Sequence, residues 1–388
     1  MADASPYALR LSHAASWVRC AAFSRMNRTP QAAIIENAAD HTVREEGTAM
    51  HEAAHWMFMG LDVSSSAKMS NGVVLDDEMV DAAQFYFDTV MGYDDSLAEW
   101  VIERQLAAPR IHAQCGGTPD AFALYDEPFG NVRPVHIRIV DFKGGYRFVD
   151  VFLNWQLMGY LAAILDYAPG FDENDTVVEF VIVQPRCYHR DGPVRTFRTT
   201  VGECRNHINA LHHAAAIAMG DYAQAVSGPQ CGDCAGRASC SVAHAAAGRA
   251  LEVAGEPDVY DLPVNALDYE MQRIEQAQAI LQARLTGLQA QASYLIRKGA
   301  VLPHYALESG QGRLMWLDEN AEQAALTMGD LMGADLRKPA RAITPLQALH
   351  KMPKELIEQY AQRRRGEVKL VRFDSNAAVK AFSHLKKD

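Results

Sequence analysis

Two carboxylates and an amine raise the first chemical question. Asp120 closes the run Gly117-Thr118-Pro119-Asp120, and Asp141 and Lys143 flank Phe142 at the end of an apolar run, Ile137 to Phe142. That run reads as a buried strand. Side chains alternate along a strand, so Asp141 and Lys143 share a face while Phe142 points into the core. The segment 121–124 reads as the neighbouring strand. A carboxylate beside an amine at a strand end, with a second carboxylate close by, is suited to holding a hard cation and orienting a water on it. This is the arrangement of metal-dependent phosphodiester hydrolysis. Taken alone, Asp-x-Lys reads more readily as a surface ion pair on an edge strand; the surrounding residues reverse that reading.

Four motifs stand in order: Glu46-Gly47-Thr48-Ala49-Met50-His51, Gly117-Thr118-Pro119-Asp120, Asp141-Phe142-Lys143, and Gln156-Leu157-Met158-Gly159-Tyr160. Together they resemble the RecB-like branch of the PD-(D/E)XK nucleases, over roughly residues 9 to 245, and most of all its phage-borne members. The resemblance implies an α/β fold in which a central mixed sheet is flanked by helices. It implies a Mg2+ or Mn2+ ion ligated by His51, Asp120, Asp141 and the Phe142 carbonyl, with Lys143 holding or polarising the attacking water. Gln156 and Tyr160, four apart on one helical face, are expected to contact the substrate backbone or to orient the metal ligands. Arg19, Gln184 and Arg186 are the candidate DNA contacts. The implied activity is that of a cytoplasmic DNA exonuclease in phage recombination, repair or processing. Its partners would be DNA and a phage recombination or annealing protein.

Cysteine supplies a second signal. Three of the seven cysteines fall in Cys231-Gly232-Asp233-Cys234-Ala235-Gly236-Arg237-Ala238-Ser239-Cys240, and Cys20 lies far upstream. The opening MADASPYALRLSH has no apolar core of a secretory signal, so a reducing compartment without disulfides is expected. Clustered thiols then point to a metal. Zinc would take Cys231, Cys234, Cys240 and His244. A [4Fe-4S] cluster would need a fourth thiolate, for which Cys20 is the candidate. The spacing, with one Cys before the nuclease motifs and three after, is similar to the iron-sulfur staple of AddB and of CRISPR-associated RecB-like exonucleases. Ala21 stands where those proteins often carry proline. Such a staple would close the domain's ends and remove entropy from the unfolded chain. Cys115, Cys187 and Cys204 are read as buried packing residues.

Elements must position these groups. A helix over 42–60, with Thr42 and Glu45 as its capping signal, carries His51; His55 shares its face and is read as packing. A short helix carries Cys20. Residues 76–107 read as helix-rich. Strands are expected at 121–125, 135–142, 148–151 and 175–184, and a helix at 152–166. Arg25, Arg28, His189, Arg190, Arg195 and Arg198 are further candidates for a basic channel. Residues 1–254 form the expected nuclease domain. After Gly255-Glu256-Pro257, a helix over 255–304 carries a heptad seam from Leu267 to Leu295 with Gln278 as its polar break, expected to pack within the chain. Residues 305–388 read as a small helical module, in which Arg363-Arg364-Arg365 reads as a solvated face.

Composition excludes some classes. The 388 residues are 49% hydrophobic and 22% charged, as in globular proteins, and no apolar run reaches membrane-spanning length, so no membrane partner is expected. A net charge of −11 argues against coating nucleic acid by bulk attraction but not against a nuclease, whose metal site is itself acidic. Two other readings stay open. One is a non-catalytic, metal-stapled scaffold of the same fold that binds nucleic acid or protein. The other is a restriction-type endonuclease.

Overall fold

Alternating side chains along one strand, Pro134–Phe142, sort the molecule into two faces. Ile137 and Ile139 enter one core; Val140 and Phe142 enter the other. The computed structural model describes residues 6–30, 32, 42–93, 98–126, 134–168, 170–172, 174–254, 262–307, 327 and 331. Along the chain its strands are β1 (Leu9–Arg10), β2 (Ala98–Ile102), β3 (Leu106–Ala107), β4 (Cys115–Gly117), β5 (Ala121–Asp126), β6 (Pro134–Phe142), β7 (Val177–Val183) and β8 (Val194–Thr200). Its α-helices are α1 (Ala14–Arg19), α2 (Phe23–Met26), α3 (Thr42–Phe58), α4 (Asp77–Met91), α5 (Trp155–Tyr167), α6 (Val201–Met219), α7 (Ser241–Ala254) and α8 (Val264–Arg297).

The main sheet has the order β2-β5-β6-β7-β8. Only β6 and β7 run parallel in it, and parallel neighbours need a crossover, which α5 supplies. A smaller mixed sheet has the order β1-β4-β3. Helices α1, α5 and α6 cover one face of the main sheet, burying Trp17, Leu161 and Leu211 with Phe122 and Phe180. Helices α3 and α4 cover the other, burying Met50, Ala53 and Tyr86 with Phe142 and Val181. Each buried ring of this kind contributes about 2–3 kcal/mol. The chain is therefore mixed α/β, with mixed sheets flanked by helices. Among the described residues, no helix is long and apolar enough to cross a membrane.

Several expectations need correction. The stretch 76–107 is helical only to Met91; β2 and β3 follow, because Trp100-Val101-Ile102 prefers a pleated, half-buried surface. Residues 148–151 form no strand but a loop. Strand β8 was not anticipated, although its burial alternates along its length. The Gly116-Gly117 pair lies in β4.

The heptad helix is present, ending before Gly299 at φ +93°. Its packing face differs from expectation. Ala277, Ala283, Gly287 and Ala290 are buried, and α8 lies against α7 and the short turns Pro229–Asp233 and Ala235–Ala238. A Cβ on Gly287 would sit 3.2 Å from the Ala238 backbone, so a small residue sets this approach. Of the large seam residues, Leu267, Met271, Ile274, Leu285, Leu288 and Leu295 stand exposed, while Leu281 is half-buried. The linker at 255–257, Arg363–Arg365 and nearly all of the module expected over 305–388 lie outside the described residues.

Candidate metal centre and thiol corner

Sheet register brings the first cluster together. Ala121 pairs with Val140 and Ile102 with Ala121, so the start of β5, the end of β6 and the end of β2 meet. Asp120 and Glu103 sit just outside these paired ends. Asp120 Oδ2 accepts the Phe142 N–H at 2.6 Å, and the Glu103 N–H donates to the Asp120 carbonyl at 3.0 Å. Glu103 has φ +47°, a left-handed backbone that a glutamate rarely adopts without a reason. From α3, His51 Nδ1 lies 3.4 Å from Asp120 and 3.7 Å from Glu103. Among the described residues, His51, Glu103 and Asp120 are the group whose donor atoms all lie within 4.8 Å of one another.

The second half of the site is tied directly to the first. Lys143 Nζ contacts Asp141 Oδ2 at 2.9 Å, so the two share a face as expected. Gln156 bridges them: its Nε2 donates to Asp141 Oδ1 at 2.9 Å, and its Oε1 accepts from Lys143 at 3.1 Å. Gln156 Nε2 also lies 2.9 Å from the Tyr160 hydroxyl. Asn154 caps α5, accepting from Gln156 N at 3.0 Å, which fixes where the helix starts and hence where Gln156 points. Gly117 and Gly159 let β4, Leu11 and α5 approach closely. A Cβ on Gly117 would lie 3.0 Å from the Tyr160 ring, and one on Gly159 would lie 2.5 Å from Leu11.

Burial and crowding set the charges. Burial pushes the Asp141 carboxyl up to about 6; Lys143 opposes this and Asp120 adds to it. Burial also raises Asp120, with His51 opposing and Glu103 adding. Burial disfavours the His51 imidazolium, yet Asp120 and Glu103 outweigh it and bring it to about 9. Burial works against the Lys143 ammonium too, but Asp141 and Asp120 raise it. The Tyr86 hydroxyl, buried beside these carboxylates, has no hydrogen-bond partner among the described residues. Its ring stacks on Phe142 at 4.8 Å. An imidazole with crowded carboxylates is a donor set for a hard divalent cation such as Mg2+ or Mn2+.

Of the expected ligands, His51 and Asp120 come into mutual reach. Asp141 is engaged by Lys143 and Gln156 while remaining electrostatically coupled to both. Glu103 and Tyr86 were missed. Glu103 was hidden by reading 76–107 as helical, although a β-favouring run ending in an acid was the available signal.

The expected DNA contacts divide sharply. Arg19 is exposed at the end of α1. Gln184 is buried and holds the loop after Lys143 through Gly145 O, Arg147 O and Val149 N. Arg186 is buried and binds Glu46, Glu78, Gly144 O and the Tyr146 hydroxyl. Both are structural ties, because a polar group taken from water must be satisfied internally. Arg25, Arg28 and Arg195 are likewise spent on Ala223 O, Tyr7 O and Gln184. Arg198 is exposed, and His189 and Arg190 each lie beside Asp191.

In a second cluster, Cys20, Cys231, Cys234 and Cys240 line one small cavity. Cys20 follows α1 directly. Val226 N–H donates to Cys20 Sγ and Gly228 N–H to Cys231 Sγ, each at 3.4 Å, and Asn27 Nδ2 lies 3.9 Å from Cys234 Sγ. Burial pushes the Cys234 thiol up to about 11, and the neighbouring sulfurs add to it. His244 turns elsewhere, its Nε2 2.9 Å from Ala238 O. Cys115 and Cys204 are deeply buried and held near 12 by that burial.

No curated protein matches the chain. A family model, described as a protein of unknown function (DUF2800), matches residues 8–377, and the chain belongs to that family.

Proposed function

We propose that this protein is a metal-dependent deoxyribonuclease that resembles the RecB-like PD-(D/E)XK enzymes and removes nucleotides from DNA ends. One observation carries the reading: His51, Glu103 and Asp120 converge at the sheet end where Gln156 clamps Asp141 to Lys143. A bound Mg2+ or Mn2+ would polarise the scissile phosphate and acidify the attacking water. His51, Asp120 and Glu103, with Asp141 adjoining, are the residues that would hold it. Lys143 sits one residue past the strand end with its ammonium fixed, ready to orient water and to offset charge developing on phosphate. Gln156 keeps that ammonium and the Asp141 carboxylate in register, so it acts as a positioning residue. The reaction consumes one water per phosphodiester: a P–O bond to water forms, the P–O bond to the leaving sugar oxygen breaks, and that oxygen gains a proton.

Digestion of end-labelled linear, circular, single-stranded and double-stranded DNA with Mn2+ or Mg2+ tests the proposal. Loss of linear substrates with circular ones spared is the expected result. No cleavage of any substrate would leave the non-catalytic scaffold as the better reading, and cleavage of circles would make it an endonuclease.

The thiol corner supports a second component of the same reading, a [4Fe-4S] cluster held by Cys20, Cys231, Cys234 and Cys240. All four cysteines line one cavity, and His244, the imidazole a zinc site would need, does not line it. Anaerobically purified protein should be brown with equal iron and acid-labile sulfide; a colourless, zinc-loaded protein would overturn this component.

A further inference from the structure

The loop that follows Lys143 carries three consecutive exposed residues, Tyr146, Arg147 and Phe148. It is a rigid loop. Gln184 grips Gly145 O at 2.8 Å, Arg147 O at 2.7 Å and Val149 N at 3.2 Å. The Arg186 guanidinium backs the Tyr146 ring at 4.2 Å, and Arg195 backs Phe148 at 4.8 Å. The loop after β7 joins this rim: the His189 ring packs against Phe148 at 4.1 Å, tilted by 31°, and its neighbours Tyr188 and Arg190 are 75% and 85% exposed. Apolar rings are thus held out into solvent by buried polar ties, three to five residues from the candidate catalytic lysine. Folding gains nothing from exposing them, so a contact surface is the physical reason to hold them there. Aromatic faces interleaved with arginines suit bases and phosphates together. Only unpaired bases offer free faces, because those of a duplex are stacked inside it.

We propose that Tyr146, Phe148 and Tyr188, with Arg147 and Arg190, form a platform that stacks the unpaired bases of single-stranded DNA and presents the strand to Lys143. The platform gives the nuclease its substrate class, a single strand or a single-stranded end, and so rests on the nuclease reading above. Tyr188 and Phe148 supply the stacking faces most easily tested, since the Tyr146 hydroxyl is also bonded to Glu78.

The test is equilibrium binding of the full-length protein, in EDTA, to a fluorescein-labelled single-stranded 20-mer, its abasic counterpart and a blunt duplex of equal length. Wild type should bind the single strand more tightly than either control. Tyr188→Ala should weaken single-strand binding about tenfold, and Tyr188→Ala with Phe148→Ala by more. Tyr188→Trp should restore it, and duplex binding should change less than about twofold. Circular dichroism and thermal melting establish that each variant is folded. Because Tyr188 is mostly exposed, its single variant keeps the test valid if the double variant unfolds. Equal wild-type affinity for single strand and abasic strand overturns the platform, as does unchanged binding by Tyr188→Ala. Binding is read without divalent metal, so these results stand apart from cleavage: a protein that cuts DNA but lacks base-dependent binding loses the platform and keeps the nuclease reading. One that shows aromatic-dependent binding but never cuts keeps the platform and loses the nuclease.

Discussion

The two clusters of reactive side chains are built on opposite principles. At the sheet end, the acids, the lysine and the amide already touch one another: Asp141 meets Lys143, Gln156 meets both, and Asp120 meets the Phe142 amide. Strands β2, β5 and β6 and helices α3 and α5 each fix one part of it. At the thiol corner the four cysteines line one cavity, and what ties them is a few N–H···S contacts and the small-residue face of α8. The first is organised by sheet register and can stand without an ion. The second joins segments about two hundred residues apart through few direct bonds, so a ligand there would contribute to stability as much as to chemistry. Removing a sheet-end group should therefore cost activity, and removing a thiol should cost the fold.

The largest contrast comes from single substitutions. Lys143→Ala should lower DNA hydrolysis by at least about 10²–10³-fold with little change in Tm. Cys20→Ser should do the reverse in character: visible absorbance lost, and stability lowered by about 2–5 kcal/mol on the scale of a long-loop crosslink, as denaturant melts would show. If Lys143→Ala unfolds the protein, or Cys20→Ser leaves its stability intact, the contrast fails.

Gln156→Ala sharpens the comparison within the sheet end. It touches the clamp without offering a ligand itself, so kcat should fall about 10–100-fold, less than for Lys143→Ala, with KM nearly unchanged. A loss confined to KM would make it a substrate contact instead. Gly287→Leu tests the other region. Its side chain would meet Arg237 Cγ and the Ala238 backbone at 3.1–3.2 Å, prying α8 from the thiol corner. A loss of about 1–3 kcal/mol is expected, against less than about 0.5 kcal/mol for the exposed Leu285→Gln.

Legibility in the sequence followed the same division. Asp141 and Lys143 were readable because a two-residue period fixes their shared face, and Gln156 and Tyr160 because a four-residue step does the same on a helix. Glu103 was readable only as an acid ending a β-favouring run; its place beside Asp120 depends on the pairing of β2 with β5, a long-range fact. The burial of Gln184 and Arg186 was unreadable for a related reason: an arginine that ties α3 to α4 is the same letter as one that waits for phosphate, and only burial distinguishes them. The heptad on α8 was seen, but its packing face was not. Large residues drew attention to the seam, whereas close helix approach is set by alanine and glycine on the other side.

Arg186→Ala gives the smallest expected effect on function. Breaking its ties to Glu46 and Glu78 should cost about 2 kcal/mol of stability, discounted for the partial exposure of both glutamates. The salt dependence of DNA binding should not move, because no phosphate contact is lost. A salt slope reduced by about one would return Arg186 to the DNA interface.

The central claim is that the sheet-end cluster hydrolyses phosphodiester bonds. Release of labelled nucleotide from linear DNA in Mn2+, by wild type and by Lys143→Ala side by side, tests it most directly. The account predicts steady release by wild type and less than about 1% of that rate from the folded variant. Equal release by both proteins, or none by either, would contradict it.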